Sequence, residues 1–267
     1  MAELDTSNLI LLSETDVVPL DATWVLPGSD TPLASGYLQG AGVFDVAALK
    51  AATPLGSRYP DASTIAAQAN ALGISKDSPL LIYDRAGFFS APFIQWSFQS
   101  CGHAETQVIE GGLPFLKSRG IETVNTPHSP PASTGYTPTA PLCRGVIMSE
   151  LVAAFGTQIQ IVDARSQGRF HGTEPEPREG LRSGHMPGAI NLPLGNLLAA
   201  NKRLHTDIEQ RIESAGIDLS HPIITTCGSG VTACALRYIF EKLGADNVCV
   251  YMGSWAEYGA SDAPIEI

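Results

Sequence analysis

An internal repeat constrains this chain more than any other feature. VVPLDATW at Val17–Trp24 returns in the second half as IQIVDARS at Ile159–Ser166. A longer stretch, Leu80–Phe115, lies over Pro222–Tyr258 with a one-residue gap. Each copy of that stretch reads as an apolar strand, a short Gly-containing loop, an amphipathic helix, a glycine, a polar turn and a second apolar strand. Each then ends in Gly-Gly-Leu or Gly-Ser-Trp. A repeat of this size means two domains on one plan, and strands alternating with helices imply a parallel sheet with helices on its faces. The stretch Glu122–Pro141, ETVNTPHSPPASTGYTPTAP, is dense in Pro, Ser and Thr and reads as a semi-extended linker. The expected organisation is therefore a first domain over 1–123, a linker over 124–142 and a second domain over 143–267. Each half is long enough to bury a core.

Composition narrows the class of partner. Hydrophobic residues make up 44 % and charged residues 16 %, as in ordinary globular protein. Sixteen basic against 27 acidic residues give a net charge of −11, which argues against nucleic acid and anionic membrane as partners. An anionic small substrate would need local arginines to overcome that field. No window approaches a membrane span, and the start MAELDTSNLILLSETD carries acids and lacks a basic targeting region, so a soluble cytoplasmic protein is expected. The five cysteines form no CxxC pair and no His/Cys cluster, so neither a disulfide framework nor a zinc site is expected. Cys101, Cys143, Cys234 and Cys249 sit among apolar or small neighbours and read as buried filler.

Cys227 differs. Ile223-Ile224-Thr225-Thr226 is a β-branched strand, and Leu236, Ile239, Phe240 and Leu243 mark a helix that closes on Gly244. The connection is Cys227-Gly228-Ser229-Gly230-Val231-Thr232. A cysteine thus stands at the C-terminal end of a buried strand, where open α/β sheets place ligands, and just before a helix N-terminus, whose amides and dipole favour an anion. The two glycines let Gly228, Ser229, Gly230, Val231 and Thr232 curl into a cradle of N–H groups around the sulfur.

The loop CGSGVTAC at Cys227–Cys234 resembles the active-site loop of the 3-mercaptopyruvate sulfurtransferases, within the tandem-rhodanese group. GHMPGAINLP at Gly184–Pro193, GRFHGTEPEPR at Gly168–Arg178 and GSWAEY at Gly253–Tyr258 extend the resemblance over essentially the whole chain, more loosely in the first half. It implies an α/β fold of two tandem rhodanese-like domains, each a mainly parallel sheet flanked by helices. It also implies that Cys227 carries sulfur as a persulfide, and that Arg169 and Arg178 hold the carboxylate and keto oxygen of 3-mercaptopyruvate. The residues agree: both arginines lie in a Gly/Pro-rich loop, and a planar guanidinium matches a carboxylate. Neutralising nearby Glu174, Glu176 and Glu179 is the competing role. The acceptor expected is a thiol, such as thioredoxin or a small thiol, or cyanide, with no metal and no cofactor. Ser229 is placed either to hydrogen-bond the substrate and help move a proton to the enolate, or to satisfy a loop amide.

Thiosulfate-using relatives typically carry a basic pair directly after the cysteine; Gly228-Ser229 stands here instead, which favours mercaptopyruvate. Thiosulfate transfer and protein-to-protein sulfur relay are the alternatives. A Cys-dependent phosphatase needs an arginine where Ala233 stands. No histidine lies between Asp45 and Pro60, so a serine–histidine–aspartate relay lacks its histidine; Arg58 is the nearest aligned polar residue. His185 and the Asp163/Arg165 pair read as structural, Arg182 as a solvated surface charge, and Trp255 as pocket wall or core. In the first domain Asp84 occupies the cysteine position. A carboxylate cannot hold a transferable persulfide, so that copy is expected to be inactive.

Overall fold

A computed structural model describes residues 17–26, 28–132 and 135–267. The acidic start used above for targeting lies outside them. By their packing the residues divide into two compact units. Among the described residues, unit 1 comprises those up to Ala52, Pro60–Leu142 and Leu198–Thr206; unit 2 comprises Thr53–Tyr59, Cys143–Leu197 and Asp207–Ile267.

Unit 1 contains strands β1 (Val18–Asp21), β2 (Tyr37–Leu38), β3 (Gly42–Val43), β4 (Leu80–Tyr83), β5 (Thr106–Val108) and β6 (Thr123–Val124). Its helices are α1 (Val46–Ala52), α2 (Ala62–Ala71), α3 (Ala91–Ser100) and α4 (Gly112–Ser118). The main sheet has the order β3-β1-β4-β5 and every pair is parallel. β2 and β6 form a separate antiparallel pair. Every residue of β4 is buried, as expected for a central strand covered on both faces. One apolar layer gathers Leu38, Leu81, Tyr83, Ile109, Leu113 and Leu116.

Unit 2 contains β7 (Arg144–Val146), β8 (Gln160–Asp163), β9 (Ile190–Asn191), β10 (Ile223–Thr226) and β11 (Val248–Tyr251). Its helices are α5 (Met148–Ala153), α6 (Gln167–Phe170), α7 (Ile208–Ser214), α8 (Val231–Lys242) and α9 (Ser254–Tyr258), with a 3-10 turn at Leu194–Leu197. The sheet order is β7-β11-β10-β8-β9, again all parallel. Read from its other edge, β9-β8-β10-β11 repeats β3-β1-β4-β5, with β7 added. The register repeats too. Asp21 pairs with Tyr83 and Asp163 with Thr226, so Asp84 and Cys227 leave their sheets at the same place. Ile161, Ile224, Tyr251, Trp255 and Tyr258 pack beneath one face, and α8 buries Val231, Ala233, Leu236, Ile239 and Phe240.

The stretch 124–142 is held along unit 1. The N–H of His128 donates to the Ala41 carbonyl (2.7 Å), and those of Gly135 and Tyr136 donate to Asn70 Oδ1 (3.1 and 3.0 Å). The Tyr136 ring is buried and stacks on His103. Pro, Ser and Thr signal the absence of a regular backbone ladder; they do not prevent docking through single hydrogen bonds and one aromatic ring.

Candidate active site

The site is built on the turn from β10 into α8. Cys227 follows the last strand residue, and Gly230 opens the helix with φ 86°. The Cys227 Sγ accepts the N–H groups of Gly230 (3.1 Å) and Ser229 (3.4 Å). The carbonyls of the same turn are fixed outward: Trp255 N–H donates to the Cys227 carbonyl (2.9 Å) and Ala256 N–H to that of Gly228 (3.0 Å). Helix α9 thus takes the carbonyls, which leaves the loop amides facing the sulfur. Two N–H dipoles directed at one atom stabilise negative charge there.

Ser254 adds a further clamp. Its hydroxyl accepts the Cys227 N–H (3.2 Å), donates to the Tyr251 carbonyl (2.9 Å) and stands 3.9 Å from Sγ. It is fully buried and has φ 50°. The Tyr251 hydroxyl donates to Glu257 Oε2 (2.8 Å), which ties α9 to β11; burial, then that carboxylate, hold the Tyr251 pKa well above the usual phenol range.

Arg169, on α6, reaches this loop. A Cβ added to Gly228 would lie 2.8 Å from its Nη2, so glycine here makes room for a guanidinium. Glu176 holds that guanidinium from behind, accepting from Nη2 (2.6 Å) and Nε (3.2 Å). Glu176 Oε1, which accepts Arg169 Nε, also accepts Arg165 Nη1 (2.8 Å). Arg165 in turn pairs with Asp163 (2.7 Å), donates to the Gly184 carbonyl (2.8 Å) and covers the Trp255 ring at 4.0 Å.

The chain as a whole is similar to known proteins. The profile of the rhodanese-like domain matches residues 148–261. The 3-mercaptopyruvate sulfurtransferase of Rattus norvegicus is 34 % identical over 260 residues, covering 90 % of this chain and 84 % of the relative. That of Escherichia coli (strain K12) is 32 % identical over 263 residues, covering 96 % and 94 %. The crystal structure of the Tum1 protein from Saccharomyces cerevisiae superposes with a TM-score of 0.82 at 30 % identity, covering 96 % and 93 %. The chain belongs to the 3-mercaptopyruvate sulfurtransferase family. Its fold is the tandem rhodanese-like α/β arrangement, with a parallel sheet in each unit.

In this sulfurtransferase the residues singled out in the sequence are distributed unevenly. Cys227, Gly228, Ser229, Gly230 and Arg169 come together. Val231 and Thr232 begin α8; the amides that reach Sγ are those of Ser229 and Gly230. Arg178 lies on an exposed turn, and among the described residues no hydrogen bond or ion pair holds it against the loop. Arg182 is not a solvated charge. It donates to the carbonyls of Ala263 (2.8 Å), Tyr258 and Gly259 (both 3.3 Å) and holds the C-terminal segment. His185 is structural: its Nδ1 meets the Phe170 carbonyl at 2.9 Å and its ring stacks on Phe170 at 3.8 Å. Arg58 forks onto Glu150 and the Gly145 carbonyl. Trp255 is core.

The first copy keeps the cradle and fills it with its own anion. The Asp84 carboxylate accepts the N–H groups of Gly87 (2.6 Å), Phe89 (2.8 Å), Ser90 (3.0 Å) and Ala91 (3.1 Å). Sequence reasoning missed two residues. Glu176 appeared only as a charge for Arg169 to neutralise, although two flanking prolines marked it as stiffly presented. Ser254 had a clearer signal: it stands where the first copy has Gly112, whose φ is 51°.

Proposed function

We propose that this chain moves sulfur from 3-mercaptopyruvate to a thiol through a persulfide on Cys227. The observation that carries the reading is the Cys227 Sγ held by two loop amides with the Arg169 guanidinium beside Gly228. The thiolate attacks the donor sulfur, a S–S bond forms and the donor C–S bond breaks. The electron pair leaves on carbon as the enolate of pyruvate, which takes up a proton. A thiol then attacks the outer sulfur and leaves as its own persulfide, and Cys227 returns to the thiolate. In this reading Arg169 binds the donor carboxylate, Arg178 joins it by turning in from its exposed turn, and Ser229 hydrogen-bonds the donor or passes the enolate its proton. The chemistry asks for no metal or organic cofactor. The acceptor is a small thiol or a reduced thioredoxin-type protein. Five free thiols suit a reducing compartment, and we assign the chain to the cytoplasm on that ground.

A paired donor assay tests the reading. Pyruvate is followed from 3-mercaptopyruvate, and thiocyanate from thiosulfate with cyanide, for the native chain and Cys227→Ser. The expected result is faster turnover of mercaptopyruvate and loss of both activities in the variant. Faster thiosulfate turnover would reverse the donor assignment. Activity retained in Cys227→Ser would remove the cysteine from the mechanism.

A further inference from the structure

Between Arg169 and the buried core lies one carboxylate that the reaction above does not use. Its side chain is 1 % exposed and it serves two guanidiniums at once, Arg165 at 2.8 Å and Arg169 at 2.6 Å. Arg165 needs no help to stay buried, because Asp163 already neutralises it at 2.7 Å. The second carboxylate therefore acts on Arg169. It takes the Nε and Nη2 edge of that guanidinium, and Nη1 and the second Nη2 hydrogen remain for other partners. Those two nitrogens lie 3.4 and 2.8 Å from where a Gly228 Cβ would stand, on the side of the sulfur loop.

The backbone that presents this carboxylate is stiff. Pro175 and Pro177 flank it, and a residue before proline is confined to extended conformations. The preceding turn is stitched to α6: the N–H groups of Thr173 and Glu174 donate to the Gly168 carbonyl (2.8 and 3.0 Å), and Ser166 Oγ donates to Glu174 (2.9 Å). Little conformational freedom remains to be lost when substrate arrives. An arginine on a surface helix would otherwise sample many rotamers, and a bound carboxylate would have to order it.

We infer that Glu176 is a positioning residue: it holds Arg169 with its outer edge toward Cys227, so that a donor carrying a carboxylate meets a preorganised guanidinium. The inference rests on Arg169 being the carboxylate-binding group of the proposed function. It assigns Glu176 to the orientation of anionic donors and not to the chemistry of the sulfur.

Alkylation of Cys227 separates these roles without sulfur transfer. The intact chain and its variants are treated with iodoacetate, which carries a carboxylate, and with neutral iodoacetamide, and labelling is read on the Cys227 peptide. Arg169→Ala and Glu176→Gln are each expected to lower the iodoacetate-to-iodoacetamide rate ratio about tenfold, within the ~100-fold that misplacement by 1 Å can cost. In Glu176→Gln the iodoacetamide rate should fall by less than the iodoacetate rate, because the loop amides are untouched. Glu176→Asp keeps the charge and should recover part of the ratio; it also carries the test if Glu176→Gln does not fold. With 3-mercaptopyruvate, Glu176→Gln should raise KM about tenfold and leave kcat within about twofold. A native ratio in Glu176→Gln, with the ratio lost in Arg169→Ala, would overturn the role of Glu176 alone. Equal loss of both rates in Glu176→Gln would make Glu176 a support of the loop and overturn the inference. A native ratio in Arg169→Ala would overturn the carboxylate-binding role of Arg169 and the inference with it.

Discussion

Ser254 and Gly112 stand at the same point of the two repeats and take nearly the same φ, 50° and 51°. Glycine enters that region freely, whereas a serine there is strained by about 1 kcal/mol or more. The strain persists where the hydroxyl has work at the Cys227 N–H, and is absent in the copy that has no cysteine. Ser254→Ala keeps the strain and leaves a buried N–H and carbonyl unpaired, at about 1–3 kcal/mol. Ser254→Gly loses the same bonds but relieves the backbone. Both variants should transfer sulfur more slowly, and thermal melts should place Ser254→Gly above Ser254→Ala. The reverse order of melting would show that the φ is not strained. Asp84→Asn probes the other repeat. The amide turns an NH2 toward one or more of four N–H donors, so a loss of about 2–3 kcal/mol in denaturant unfolding is expected, with donor turnover by Cys227 kept as the comparison. Unchanged stability would mean that the four short contacts are not worth their geometry.

At the scale of elements, the loop between β10 and α8 works because α9 holds its carbonyls. Gly230 shows how little space that leaves. Its φ is 86°, and a Cβ would lie 2.7 Å from Met252 Sδ and 2.9 Å from the Met252 carbonyl. Gly230→Ala is expected to lower stability by about 1–3 kcal/mol and to slow a single turnover, because the shifted turn carries the Gly230 amide away from Sγ. A variant that lost stability while keeping the single-turnover rate would show that this amide does not matter to the transfer. Much of this element was legible in the sequence. Four β-branched residues gave β10, apolar spacing gave α8, and Gly244 closed it, as found with φ 93°. Helix α9 was readable only as the motif GSWAEY. Its task, donating Trp255 and Ala256 amides to the loop, depends on β11 lying beside β10, and no local pattern encodes that.

At the scale of the whole molecule, the repeat predicted two units, and the structure adds an exchange of segments. Thr53–Tyr59 belongs by its packing to unit 2, where Arg58 donates to the Gly145 carbonyl (2.6 Å) and Tyr59 to that of Cys143 (3.1 Å). The ion pair with Glu150 is 38 % and 45 % exposed and contributes at most about 1 kcal/mol, so the backbone contacts to β7 matter more. A fragment of residues 143–267 lacks this segment. Hydrogen exchange at Cys143–Val146 should be faster in the fragment than in the intact chain, and equal protection would show that the segment does not support the edge strand.

The sequence by itself determined the α/β class, the duplication, and that Cys227 and Asp84 stand at matching strand ends of the two copies. Those properties rest on local periodicity, on turn chemistry and on comparing one half of the chain with the other. Only the tertiary structure decided that Arg169 meets the loop while Arg178 lies on an exposed turn, that Glu176 stands behind Arg169, and that Ser254 clamps Cys227. Such pairings join residues far apart in the chain through buried charges and single hydrogen bonds. Their energies depend on distances of a few ångströms between elements, which composition and spacing do not carry.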